Sequence, residues 1–138
     1  LDSHMGVYHF NDAIFEAALG LAKEFGCTLR VAFPHRKERL HAEGFPCVDR
    51  LFYETYDVPD AERFAFYTDL LKNLEPGLSE LIVHCGTDDA ELDAITEGLQ
   101  KRRALDAEFF SLDSTARLLK ELGVQVLGYS DLKKLLPR

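Results

Sequence analysis

Three stretches of this chain share one order: an amphipathic helical run, a glycine or proline stop, and a short apolar run of strand length. Helix–strand units in series imply parallel strands joined by right-handed crossovers, and therefore an α/β architecture. In the first unit Asn11 is placed to cap a helix. Ile14, Phe15, Ala18, Leu21, Ala22 and Phe25 follow on one stripe, and Gly26 is the stop. Residues 28–33 then predict a strand, closed by Pro34. In the second, Asp60 leads a helix with Phe64, Tyr67, Leu70, Leu71 and Leu74 inward, closed by Pro76 and Gly77. The third runs from the cap Ser111-Leu112-Asp113 through a helix over 114–122, with Leu118, Leu119 and Leu122 inward, to Gly123 and a strand over 124–127. Ser130 caps a short terminal helix.

The strand of the second unit carries the most chemistry. Leu81, Ile82 and Val83 are a continuous apolar run, which reads as a buried parallel strand. It stops abruptly at His84-Cys85-Gly86-Thr87-Asp88-Asp89. Polar side chains released at such a strand end stand where α/β proteins bind their ligands. The plainer reading is a histidine that ends a strand and bonds a loop.

The remaining segments are less periodic. Over residues 34–59 the pattern breaks down, which suggests a lid or an insertion. Within it His35-Arg36-Lys37-Glu38-Arg39 reads as a solvated charged face, and Leu51, Phe52, Tyr53 and Tyr56 form an aromatic cluster. Residues 91–103 are acidic, then basic, and helical in part, with Gly98 weakening the helix. Phe109 and Phe110 belong to the core.

Bulk properties narrow the function. The 138 residues suit a single α/β domain over 1–138, and 46% apolar with 29% charged residues describes a globular chain. A net charge of −8 argues against a nucleic-acid partner, because phosphate binding needs clustered Lys and Arg. No apolar run approaches the ~20 residues of a membrane span. Cys27, Cys47 and Cys85 are odd in number and widely spaced, as expected of reduced thiols in a cytoplasmic protein.

The candidate chemistry lies at Asp2 with His4, at Arg30, and at His84. A histidine with a carboxylate can hold a divalent metal, and a second histidine can act as an acid near neutral pH. His9, His35 and His41 read as ordinary surface residues. Ser3-His4-Met5 also matches a common vector remnant, the competing explanation for a histidine so early in the chain.

Leu1-Asp2-Ser3-His4-Met5-Gly6, with Leu21-Ala22-Lys23-Glu24-Phe25-Gly26 and Leu29-Arg30 after it, resembles the central signature of the YdjC-like carbohydrate deacetylases. Residues 79–84 through Asp89-Ala90-Glu91-Leu92 resemble that family's second signature, and residues 102–110 and 118–129 its C-terminal pattern. Because Leu1 and Asp2 belong to the signature, the resemblance also argues against the vector remnant. It implies a partial TIM-like (β/α) barrel, of which this chain is the C-terminal half. It further implies a divalent metal (Zn or Mg) that activates water to remove N-acetyl groups from sugars. Matched residue by residue, His4 is a metal ligand with Asp2 beside it, His84 the general acid for the leaving amine, and Arg30 an arginine orienting a carboxylate or substrate. Cys85 stands where relatives usually carry proline.

The family's other ligands have no counterpart here. No Asp-Asp-Phe-Gly-like sequence precedes His4, and Asp88-Asp89 comes too late in the order. The chain is also far short of the ~250 residues of a usual barrel. The expectation is therefore an enzyme incomplete as this polypeptide, acting on an acetylated sugar. The alternative is a non-catalytic α/β module that binds sugar or a partner, or pairs as a homodimer through exposed strand edges. A small receiver-like domain fits the alternation but leaves the two signatures unexplained.

Overall fold

The computed structural model describes residues 1–132 and Lys134, and of His4 the backbone alone. In order come a pair of 3-10 turns over His4–His9, α1 (Asp12–Glu24), α2 (Pro34–Ala42) and β1 (Arg50–Phe52). A 3-10 turn over Asp60–Glu62 leads into α3 (Arg63–Lys72). Then follow β2 (Ser79–Leu81), α4 (Ala90–Thr96), α5 (Gln100–Ser111), α6 (Asp113–Glu121) and α7 (Tyr129–Leu132). The described chain is helix-rich, and β1 and β2 form its one two-stranded sheet. They run parallel: the Asp49 N–H donates to the Leu78 carbonyl at 2.8 Å, and the Ile82 N–H to the Phe52 carbonyl at 2.9 Å. Helices with a parallel pair make the chain α/β. Among the described residues no barrel is formed.

The chain divides into two compact units. Of the described residues, unit 1 comprises 1–51, 77–80, 126–132 and Lys134, and unit 2 comprises 52–76 and 81–125. In unit 1, Tyr8, Phe15, Leu19, Ala22, Leu29, Val31, Leu40, Phe45 and Cys47 form the core. The expected Asn11 cap is present, its Oδ1 accepting from the Ile14 N–H at 3.1 Å. The buried stripe of α1 is Phe15, Leu19 and Ala22, whereas Ile14, Leu21 and Phe25 face solvent. A helix offers two overlapping apolar stripes when Ala and Leu are frequent, and packing selects between them.

The first part of residues 34–59 is regular and packed. Pro34 sits at the first turn of α2, where its missing N–H costs nothing, and Leu40, Phe45 and Cys47 enter the core. The charged run is solvated at His35, Glu38 and Arg39 but not at Arg36. Arg36 is buried over the Phe15 ring, 4.3 Å from its centroid, and donates to the Tyr8 carbonyl and to Asp12, each at 2.8 Å.

The strands expected over 28–33 and 124–127 do not form. Leu29 and Val31 are buried, but the Arg30 N–H bonds the Leu1 carbonyl at 3.2 Å rather than a ladder. Val126 is 75% exposed. An apolar run becomes a strand only where a partner strand takes its backbone groups.

Unit 2 is built on α3, α5 and α6. Tyr67, Leu71 and Phe109 are its buried centre, with Phe64, Phe66, Leu70, Leu74, Leu81, Val83, Phe110, Leu118 and Leu119 packed against them. The inward face expected for the second helix is the one observed, while Leu122 remains 39% exposed. The helix expected over 91–103 is two helices. Glu97 (φ 53°) and Gly98 (φ 91°) turn the chain left-handed between α4 and α5, a conformation that glycine adopts freely.

Candidate functional site

The four candidate residues fall in different places. Asp2 and Arg30 meet in unit 1, where Arg30 Nη1 donates to Asp2 Oδ2. Arg30 also holds Glu80 on its other edge, with Nε at 2.7 Å and Nη2 at 2.6 Å from Oε1. The Tyr8 hydroxyl lies 2.8 Å from the Arg30 carbonyl and 3.3 Å from Asp2 Oδ1. Burial and the Asp2 carboxylate push the Tyr8 phenol well above its ordinary range. Tyr129 sits by Glu80, and burial together with that carboxylate pushes its phenol up to about 12. One guanidinium is thus shared between two carboxylates and flanked by two phenols. Such an arginine is already neutralised, so it suits orienting a carboxylate rather than capturing an anionic substrate.

The sequence signal for Glu80 was partial: Arg30 interrupts an apolar run and Glu80 immediately precedes one, and charges beside apolar runs tend to be paired. Tyr8 and Tyr129 carried no comparable signal.

His84 belongs to unit 2, just past the end of β2. It is half-buried, its ring set edge-on to Tyr56 with centroids 5.4 Å apart. Burial lowers its pKa first, and Arg103 and Arg63 add to this against the opposing pull of Asp106. A lowered pKa favours the neutral imidazole, the form that accepts a proton before it donates one. Tyr56 is steadied by Arg102, whose guanidinium lies 5.8 Å from the ring centroid and whose Nη1 donates to the Tyr56 carbonyl. Cys85 is exposed.

Behind His84 lies a charge pair that sequence reading missed. Arg63 and Asp106 are each 1% exposed and bonded through Nε at 2.9 Å and Nη2 at 2.6 Å to Oδ1. The signal was the position of Asp106, three and four residues before Phe109 and Phe110 on the apolar face of a helix. A carboxylate there must have a partner.

The side chain of His4 lies outside the described residues. His9 is half-buried rather than on the surface, its ring against Tyr8 and Phe33. Burial and Arg36 lower its pKa. His35 and His41 are exposed, as expected. Among the described residues no group of three or more His, Cys, Asp or Glu is arranged to hold a metal. Asp2, the described half of the expected ligand pair, is engaged by Arg30 and Tyr8. The described residues do not by themselves fit a divalent metal.

No helix among the described residues is long and apolar enough to cross a membrane. No curated protein matches the chain. A solved structure from Enterococcus faecalis V583, described as a "putative cellobiose-phosphate cleavage protein", is similar with a TM-score of 0.71 and 23% identity, over 95% of this chain and 51% of that one. The likeness is one of fold, and this chain spans about half the length of that neighbour. The model of the family described as YdjC-like protein matches residues 1–121 of the 138, across both stretches that hold Asp2, Arg30 and His84, and the chain belongs to that family.

Proposed function

We propose that this chain is half of a carbohydrate-processing hydrolase that removes N-acetyl groups from sugars, with His84 as its proton-handling residue. The observation that carries the reading is a half-buried histidine just past the end of β2, its ring edge-on to Tyr56, in a chain of this family. In the reaction, water adds to the acetamide carbonyl and the C–N bond breaks, giving acetate and the free amine. A neutral His84 takes the proton from the attacking water and returns it to the departing nitrogen. Arg30, held by Glu80, keeps the Asp2 carboxylate in a single orientation. The larger fold in this reading is a (β/α) barrel of which the chain is the C-terminal half. The ~50% coverage of a longer α/β neighbour supports that division. A divalent metal, Zn or Mg, is part of the proposal only with donors beyond the described residues; His4 would be this chain's share, and Asp2 would join it only on leaving Arg30 and Tyr8.

The test is acetate release from N-acetylglucosamine oligomers, with His84 varied in the full-length context that this reading implies. His84→Ala is expected to lower kcat/KM by about 10²–10⁴-fold, and near wild-type turnover in that variant overturns the role. A second reading, a non-catalytic module that self-associates, draws on the sheet: among the described residues neither β1 nor β2 has a second strand neighbour. A sedimentation mass of twice the chain with no acetate release favours it.

A further inference from the structure

We propose that Asp106, backed by Arg63 and Tyr67, is a positioning residue for His84. It fixes the main chain from which the imidazole is presented, and the proposal rests on the reading of His84 as the proton-handling group. The bond from Ile82 to Phe52 extends the parallel pairing just past β2. The His84 N–H lies beyond it and takes another acceptor, Asp106 Oδ2, at 3.2 Å.

A carboxylate free to rotate would make a poor anchor. This one is locked, because its Oδ1 receives Arg63 Nε and Nη2 and also the Tyr67 hydroxyl, the last at 2.6 Å. Arg63 is locked in turn, its Nη1 donating to the carbonyls of Thr55 and Val58 at 3.0 Å each. Two residues beyond His84, the Gly86 N–H donates to the Arg103 carbonyl at 3.1 Å. Helix α5 therefore grips the turn after β2 at two points. A Cβ on Gly86 would stand 2.5 Å from Leu92 Cδ2 and 3.3 Å from Arg103 Cβ, so a larger residue there would have to displace the Leu92 side chain of α4.

A charge pair serving stability alone needs no bond to this backbone. Here the second carboxylate oxygen leaves the pair for the main chain of one histidine. The charges facing that ring are Asp106 and Arg103 from α5 and Arg63 from α3, with Tyr56 edge-on from the loop before α3.

Asparagine at 106 has one acceptor oxygen for two sets of donors. Whichever way the amide turns, it presents an N–H either to Arg63 or to the His84 N–H. Arg63 and the Tyr67 hydroxyl bring three donor bonds to one oxygen and His84 brings one, so in Asp106→Asn the amide oxygen is expected to stay with Arg63 and the His84 amide to lose its bond. Its exchange protection should fall about tenfold, the effect of one bond to a charged acceptor. The His84 imidazole should titrate at lower pH than in the wild type, because the Asp106 carboxylate raises it. Both are read by NMR, with His84→Ala assigning the signals. A folded Asp106→Asn protein with unchanged His84 amide and imidazole signals overturns the proposal.

If circular dichroism shows that Asp106→Asn does not fold, Tyr67→Phe decides. It removes one hydroxyl from a ring packed between Phe66, Phe109 and Phe110. A shifted His84 amide then supports the proposal, and an unshifted one overturns it. Acetate release keeps the two readings apart. Wild-type turnover in His84→Ala removes the proposed function and leaves the NMR coupling standing, whereas unchanged NMR signals remove the positioning role alone.

Discussion

Arg63 and Asp106 illustrate what burial does to a charge. Each is 1% exposed, and the guanidinium and carboxylate between them bind two carbonyls, a phenol and an amide. Removing one partner leaves the other charged in a dry site. Asp106→Ala is therefore expected to cost about 3–5 kcal/mol in urea unfolding. Glu80→Gln is expected to cost less than this, because Arg30 keeps its second carboxylate partner, Asp2. A Glu80→Gln loss as large as that of Asp106→Ala would contradict this ranking. At this scale His84 and Arg30 were legible as polar residues in or just after apolar runs. That Arg30 serves two carboxylates was not, since Asp2, Arg30 and Glu80 are far apart in sequence and only the fold brings them together.

Helices were legible where capping and periodicity agree. Asn11 caps α1 as its side-chain chemistry dictates, and Asn11→Ala is expected to lower stability by about 1 kcal/mol, measured by thermal unfolding. Asp89 caps α4 in the same way, its Oδ1 accepting from the Leu92 N–H at 2.8 Å. The α4–α5 break was only half visible. Gly98 advertised a weak point, but Glu97 bears the left-handed turn with it. A left-handed non-glycine residue costs ~1–2 kcal/mol, and glycine's extra chain entropy ~0.5–1 kcal/mol. Glu97→Gly should consequently stabilise by about 0.5 kcal/mol, and a lower melting temperature would count against that strain. Strands were the least legible elements. Residues 28–33 and 124–127 have strand-like composition but no ladder, because strand formation depends on a partner that local sequence does not encode.

Across the whole molecule, titrating groups bound the stable pH range. Burial lowers His9 and His84 below their ordinary 6.5. As pH falls below that value the unfolded chain takes up protons first, so stability drops until the folded-state pKa is passed. Burial raises Tyr8, Tyr67 and Tyr129 above their ordinary 10, Tyr129 to about 12. Above pH 10 the unfolded chain loses protons first, and stability drops again. The melting temperature is expected to be highest between about pH 7 and 10 and to decline on both sides. A melting temperature still rising from pH 7 down to 5 would show that these histidines are not buried neutral.

The sequence by itself determined the α/β class, the Asn11 cap, the YdjC-like family and the candidates Asp2, Arg30 and His84, whereas the cap expected at residues 111–113 makes no side-chain bond and Ser130 lies inside α7. These depend on local periodicity, on side-chain chemistry at helix ends, and on residue order within a signature. Tertiary structure decided which apolar runs became strands and which stripe of α1 was buried. It also set Arg30 between Asp2 and Glu80, and Asp106 behind the His84 backbone. The reason is physical: burial, pairing and desolvation are properties of groups brought together from distant positions, and their energies exist only once the chain has closed around them.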